Sequence, residues 1–139
     1  MPLNVSHLKQ RVKEILDETA ELKRYASKPY AQLSMEEKYA IRYHVIVLAE
    51  ALGSTCLLIA AEEFKLKPQS YTECFRVMEE KNLCKDCAKD LTAISRLRNL
   101  LSHRYWTIDD KQVYDSIKGD FRGVNKFIET VNEKYGINL

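Results

Sequence analysis

Glycine and proline are scarce in this chain, which has four glycines and three prolines among 139 residues. A many-stranded β-sandwich or barrel needs turn-forming residues about every 8–12 positions, so the composition disfavours that class of fold. Neither sign of charge dominates, because 22 Lys and Arg face 20 Asp and Glu. This balance excludes a protein that coats nucleic acid by charge alone, but it leaves room for a local basic patch. The length and the 45% hydrophobic content predict one globular domain over residues 1–139.

The sequence also has no long uninterrupted apolar run. Its first residues turn polar by Asn4, so we expect no signal peptide. The most apolar stretch, residues 45–61, contains Glu50 and is shorter than the roughly 20 apolar residues of a membrane span. We therefore expect a buried core helix there and a cytoplasmic protein. In that compartment the cysteines should be reduced thiols, at Cys56, Cys74, Cys84 and Cys87.

Capping residues indicate where helices begin and end. Three positions pair a capping residue with a partner three residues on: Ser34 with Glu37, Ser70 with Glu73, and Asp109 with Gln112. Gly136 follows the last periodic residues, as a C-terminal stop does. Together with apolar residues at helical spacing, these positions predict helices over 5–28, 34–65, 70–82, 85–105 and 109–135. We expect an all-α antiparallel bundle of about five helices with one long central helix.

The fourth predicted helix concentrates residues that carry chemistry. At about 100° per residue, its apolar side chains are expected to face the core, namely Ile94, Leu97, Leu100 and Leu101. The opposite hemisphere is expected to present Arg98, Asn99, Ser102, His103 and Tyr105. Such a face is often just the solvated side of an amphipathic helix, and spacing alone favours that interpretation.

The residue types favour a catalytic interpretation. The planar guanidinium of Arg98 matches phosphate oxygens, and the imidazole of His103 can exchange a proton near neutral pH. Together they suit attack of a ribose 2′-hydroxyl on its own phosphodiester without a metal ion. Arg96 and Arg104 add positive charge and are candidate substrate-binding residues. One imidazole cannot serve as base and acid in the same step, so the chemistry favours a symmetric dimer that supplies two.

The segment from Arg98 to Tyr105 fits the pattern Arg, four residues, His, any residue, Tyr. It resembles the HepT family of HEPN-domain ribonuclease toxins, and the likeness covers nearly the whole chain. The resemblance implies a dimeric, metal-independent endoribonuclease in which Arg98 and His103 are catalytic and Asn99 matches the polar residue usual after the Arg. We expect Asn99 and Ser102, on the same helix face, to be supporting residues, and we expect no cofactor. It also implies a minimal nucleotidyltransferase antitoxin that uses ATP to adenylylate Tyr105.

Other interpretations stay open at this point. The same helix could belong to a non-catalytic module that docks the nucleotidyltransferase or helps it to bind nucleotide. Cys84 and Cys87 form a lone C-x-x-C, which is a redox pair or half a zinc site in some proteins but more often a structural feature. His44 is expected to be a packed histidine rather than a ligand, and Trp106 to pack in the core or contact RNA or a second copy.

Overall fold

The computed structural model describes residues 3–103, 107–119 and 121–138, and the ordered structure in these ranges is helical. Six α-helices follow one another, with a short 3-10 turn at Tyr30–Gln32: Val5–Ala26 (α1), Met35–Phe64 (α2), Tyr71–Glu80 (α3), Ala88–His103 (α4), Asp110–Ile117 (α5) and Arg122–Tyr135 (α6). The predicted all-α bundle with one long helix is confirmed.

The 30-residue helix α2 is the centre of the bundle. It contacts α1, α3, α4 and α5. Its buried side chains recur at helical spacing and include Ile41, Val45, Leu48, Leu52, Cys56 and Ile59. By length and composition α2 resembles a membrane span, but 56% of its most apolar window is buried inside the protein. This part of the chain is therefore a core helix, as the sequence predicts.

The predicted caps explain where several helices start and stop. The Ser34 hydroxyl accepts from the amide of Glu37 at 3.1 Å, and the Glu37 carboxylate accepts from the amide of Ser34 at 2.9 Å, so the capping box of α2 is complete. At the start of α3 the Ser70 hydroxyl accepts from the amide of Glu73 at 3.1 Å, while the Glu73 carboxylate accepts from the amide of Gln69 at 2.9 Å. Gly136 ends α6 with a φ of +61°, a left-handed conformation that glycine adopts without strain.

The predicted single helix over 109–135 is wrong, because the chain breaks into α5 and α6. α5 ends at Ile117, and Phe121 precedes α6 with a φ of +49°. The half-buried ring of Phe121 packs against the core, which is the tertiary contact that accompanies this unfavourable backbone conformation. Gly119 lies at the break, and glycine disfavours a continuous helix at that position.

Gly123 marks a close approach between α4 and α6. Its amide donates to the carboxylate of Asp90 at 3.0 Å, and a Cβ added at Gly123 would come within 2.5 Å of that side chain. Asp90 thus supplies a negative charge to the first turn of α6, where the amide groups lack helical partners. This contact ties the N-terminal half of α4 to the last helix.

The cysteines are all buried, and two of them are not the expected reduced thiols. Cys84 and Cys87 form a disulfide with their Cα atoms 5.3 Å apart, just before α4 begins. This loop explains why α4 starts at Ala88 rather than at the predicted residue 85. Cys56 and Cys74 are free thiols that lie side by side. Burial, together with the neighbouring Cys74, raises the pKa of the Cys56 thiol well above its usual value.

An ion pair joins α2 to α5. Arg42 donates from Nε and Nη2 to the two carboxylate oxygens of Asp110, at 2.7 and 2.8 Å. Only 21% and 15% of these side chains are exposed. Asp110 holds the pKa of the Arg42 guanidinium above its usual value through these hydrogen bonds. A bidentate pair with little exposure stabilises the docking of the short helix α5 on the bundle.

We expect Asp110→Ala to lower the free energy of unfolding by about 2 kcal/mol, because it leaves the mostly buried Arg42 without its charged acceptor. Urea unfolding followed by circular dichroism measures this loss. Asp115→Ala is the matched control on the same helix, since Asp115 and its partner Lys111 are both more than half exposed. Equal losses in the two variants would contradict the role of the buried pair.

We expect a thiol reagent to modify no cysteine in the native protein, because all four side chains are at most 1% exposed. In denaturant without reductant it should titrate two thiols, those of Cys56 and Cys74, and four after reduction of the disulfide. Four thiols in the unreduced, denatured protein would show that Cys84 and Cys87 are not joined.

Candidate functional site

The face of the helix α4 that is buried overlaps only in part with the face that the sequence predicts. Leu91, Ser95 and Leu101 are its buried residues in the region of the motif. Of the four expected core residues, Leu101 is buried as predicted. The other three are only half-buried: Ile94, Leu97 and Leu100. The helix is therefore rotated relative to the prediction. This rotation brings Arg98, one turn after Ser95, toward α2 instead of out into solvent, which corrects the expected position of this residue.

Arg98 is held by a contact between helices. Its Nη2 donates to the carboxylate of Glu50 on α2 at 3.0 Å, and its Nη1 donates to the side-chain oxygen of Asn99 at 3.3 Å. The Nε atom is buried and has no hydrogen-bond partner within the described residues. Because 28% of the side chain is exposed, the guanidinium lies at the surface and remains accessible to an anion.

Three further predicted residues lie close to Arg98 on the last turns of α4. Asn99, Ser102 and His103 are all exposed. Ser102 follows Arg98 by four residues and His103 follows Asn99 by four, so each pair consists of neighbours on the helix surface. Among the described residues no hydrogen bond involves the imidazole of His103. The helix thus ends in a contiguous polar patch with an amide, a hydroxyl, an imidazole and a guanidinium.

Within one chain, Arg98 and His103 do not point at the same spot. They are five residues apart, which corresponds to about 7.5 Å along the helix axis and about 140° around it. Arg98 faces α2, whereas His103 is exposed at the end of α4. A single phosphodiester that touches both groups would have to lie over the end of the helix or receive one of them from a second copy.

Of the two arginines predicted to bind substrate, Arg96 lies within the described residues and Arg104 does not. Arg96 is exposed, but it comes two residues before Arg98 and therefore lies about 160° away from it around the helix axis. It lies on the strip of His103, about two turns away, and does not join the Arg98 contact. Arg104 and Tyr105 fall outside the described residues, as does Trp106.

An apolar groove runs along the side of α4 opposite Arg98. Its volume is about 410 Å³. Ile94, Leu97 and Leu100 form one wall, which explains why these residues are only half-buried. The facing wall combines α1, α2 and the break between α5 and α6, through Leu22, Leu48, Ile117, Phe121 and Val124.

His44 is a packed residue, as the sequence predicts. Its Nδ1 lies 2.6 Å from the carboxylate of Glu18 on α1, and its ring packs against those of Tyr25 and Tyr43. The carboxylate thus pairs with the ring nitrogen Nδ1, and the two tyrosine rings pack against the apolar surface of the imidazole. His44 has no connection with Arg98 or His103.

Glu50 is the site residue that the sequence analysis missed. Its one signal in the sequence is a single carboxylate within an otherwise apolar stretch of α2, which served there only as evidence against a membrane span. Its partner Arg98 lies 48 residues further along the chain. Such a pairing depends on how α2 and α4 cross, which helical periodicity does not specify.

Comparisons with known proteins agree with this fold. The protein of unknown function YutE from Bacillus subtilis, a cytosolic protein, superimposes with a TM-score of 0.82 at 15% identity, over 96% of this chain and 92% of that one. A toxin-antitoxin crystal structure with AMP-PNP superimposes with a TM-score of 0.58 at 17% identity, over 84% of this chain and 96% of that one. Among the curated proteins none matches.

One protein family matches most of the chain, including the whole of the Arg98 to Tyr105 segment. The description "Ribonuclease HepT-like" matches residues 15–131. These residues extend from the middle of α1 to the last helix, so they include both α2 with Glu50 and α4 with the polar patch. The chain therefore belongs to the HepT-like ribonuclease family.

Proposed function

We propose that this protein is a metal-independent endoribonuclease, and that it acts in the cytoplasm as the toxin of a toxin–antitoxin pair. The observation that carries the proposal is the presence of an accessible guanidinium, Arg98, and an exposed imidazole, His103, in one polar patch at the end of α4. Membership of the HepT-like ribonuclease family supports the reaction class. The likeness to a toxin-antitoxin structure supports the biological role.

The proposed reaction uses only groups of the protein and the RNA. The ribose 2′-hydroxyl attacks the adjacent phosphorus, so that an O2′–P bond forms and the P–O5′ bond breaks. The hydroxyl proton leaves to a neutral imidazole, and an imidazolium donates a proton to the leaving 5′-oxygen. Arg98 stabilises the charge that develops on the phosphoryl oxygens. The products are a 2′,3′-cyclic phosphate and a 5′-hydroxyl.

A homodimer supplies the second imidazole in this proposal. The outer face of α2 supports it, because Tyr39 and Tyr43 are 54% and 62% exposed. Half-buried Ile46 and Leu57 continue this strip along the helix, on either side of Glu50. An exposed apolar strip beside the Arg98 contact is suited to a two-fold interface that brings two copies of α4 together.

The proposed inhibitor is a nucleotidyltransferase antitoxin that adenylylates Tyr105 with ATP. In the sequence Tyr105 comes two residues after His103. Each adenylyl group adds a bulky nucleotide and a negatively charged phosphodiester next to the motif. That charge competes with RNA phosphate for the positive charge of Arg98.

A non-catalytic docking module is the second candidate function. It is consistent with the same exposed patch on α4 and with the same family. A docking module has no need of a titratable imidazole at the end of the helix, so His103 is the residue whose substitution separates the two functions.

We expect His103→Ala and Arg98→Ala each to slow RNA cleavage by about 100-fold or more, because one removes the proton-transfer group and the other the phosphate contact. The measurement is cleavage of total cellular RNA and of single-stranded RNA oligonucleotides of mixed sequence. Growth after induction of each variant gives the parallel cellular readout.

Matched controls are available outside the site. His7 is an exposed histidine on α1 and Arg76 an exposed arginine on α3, so His7→Ala and Arg76→Ala should cleave RNA and arrest growth like the wild type. If the wild type and both site variants leave RNA equally intact, the ribonuclease is ruled out and the docking module is favoured.

We expect the nucleotidyltransferase partner and ATP to add adenylyl groups to the wild type but not to Tyr105→Phe, as measured by intact mass. The modified protein should lose RNA cleavage, since the added phosphate neutralises the basic site. Tyr105→Phe should keep its cleavage in the presence of the partner and ATP. Adenylylated protein that cleaves RNA at the unmodified rate would contradict this account of inhibition.

A further inference from the structure

Glu50 is a charged residue in apolar surroundings. The helix positions three and four residues away from it hold Ile46, Val47, Gly53 and Ser54, none of which is charged. Within the described part of the chain, Arg98 is its one ion-pair partner, at 3.0 Å. The Glu50 side chain is 48% exposed, so burial does not hold the carboxylate in place.

The contact determines how the guanidinium of Arg98 is presented. A guanidinium carries five N–H donors in a planar fork. Glu50 takes one donor of Nη2 and Asn99 takes one of Nη1, while Nε is buried against the bundle. Among the described residues, one donor on each of the two terminal nitrogens therefore remains for an incoming anion, and these two are called the outer donors. The plane of the fork is fixed by a buried atom at one end and two hydrogen bonds at the other.

We propose that Glu50 is a positioning residue of the ribonuclease site, which holds Arg98 so that its outer donors meet the phosphoryl group. This inference rests on the proposed function. A long arginine side chain at the surface otherwise samples many rotamers, and a loss of about 1 Å in position costs as much as 100-fold in rate. Glu50 touches neither RNA nor the reacting atoms and acts through Arg98.

The charge of Glu50 gives the proposal a distinctive kinetic consequence. The carboxylate orients the guanidinium, but it also repels the phosphates of RNA at short range. Its removal thus weakens catalysis and favours binding of the substrate. A residue with a merely structural role would lower the active fraction without improving the affinity for RNA.

The test compares Glu50→Ala and Glu50→Gln with the wild type on a fluorescence-quenched single-stranded RNA of mixed sequence. We expect Glu50→Ala to lower kcat by about tenfold or more with no rise in KM. The amide oxygen of Glu50→Gln can still accept from Nη2 without a negative charge. This variant should therefore recover part of kcat, with a KM below that of the wild type.

Glu63→Ala is the matched control, because Glu63 is an exposed carboxylate on the same helix, about 20 Å further along the axis. It should keep the kcat and KM of the wild type. Thermal melting of all three variants verifies that they are folded. A wild-type kcat in Glu50→Ala, or an equal loss of kcat in all three variants, overturns the positioning role.

A second readout does not depend on activity. In ¹⁵N-labelled protein the buried Nε–H of Arg98, assigned by its loss in Arg98→Lys, should exchange slowly with solvent. We expect exchange to accelerate in Glu50→Ala and to stay slow in Glu63→Ala. Unchanged exchange in Glu50→Ala would also overturn the inference.

Failure of the inference is distinguishable from failure of the proposed function. If Arg98→Ala cleaves RNA as fast as the wild type, the ribonuclease site itself is wrong and the role of Glu50 falls with it. If Arg98→Ala is inactive while Glu50→Ala keeps the kcat of the wild type, the site stands and only the role of Glu50 is overturned.

Discussion

The packing of α4 on α2 is the contact on which the candidate site depends. It buries a serine, Ser95, and the Nε of Arg98 inside the bundle. The terminal nitrogens of the same guanidinium emerge at the surface beside Glu50. A rotation of α4 by one residue, about 100°, would turn Arg98 away from α2 altogether. The geometry of the candidate site is therefore set by the helix interface and not by a loop.

Several contacts secure α4 in this orientation. Its first turn is tied to α6 through Asp90 and Gly123, and the disulfide between Cys84 and Cys87 closes the loop that leads into it. The Arg42–Asp110 pair fixes α5, which follows α4 in the chain. These contacts flank the polar patch and lie outside it. Functional groups on a helix that is held by its neighbours are positioned more precisely than groups on a loop.

This orientation of α4 leaves apolar side chains only partly covered, along the apolar groove. Leu97 and Leu100 would be fully covered if the helix faced inward as its hydrophobic pattern predicts. Instead the helix buries Ser95 and part of Arg98, which are less favourable in a core. Departures from the hydrophobic pattern are expected where function imposes a constraint, and here the departure coincides with the candidate site.

The helical class, the long central helix and most helix ends follow from the amino-acid sequence alone. These depend on short-range effects, such as the reciprocal capping of Ser34 and Glu37 and the left-handed stop at Gly136. The polar residues of the candidate site were also identified from the sequence, since their chemistry and spacing are local.

Three features follow from tertiary packing instead: which side of α4 is buried, the contact of Glu50 with Arg98, and the break in the chain before α6. Each of these depends on residues far apart in the chain, such as Asp90 against Gly123 or the ring of Phe121 against the core. Helical periodicity specifies the angles between side chains of one helix, but it does not specify the angle at which two helices meet.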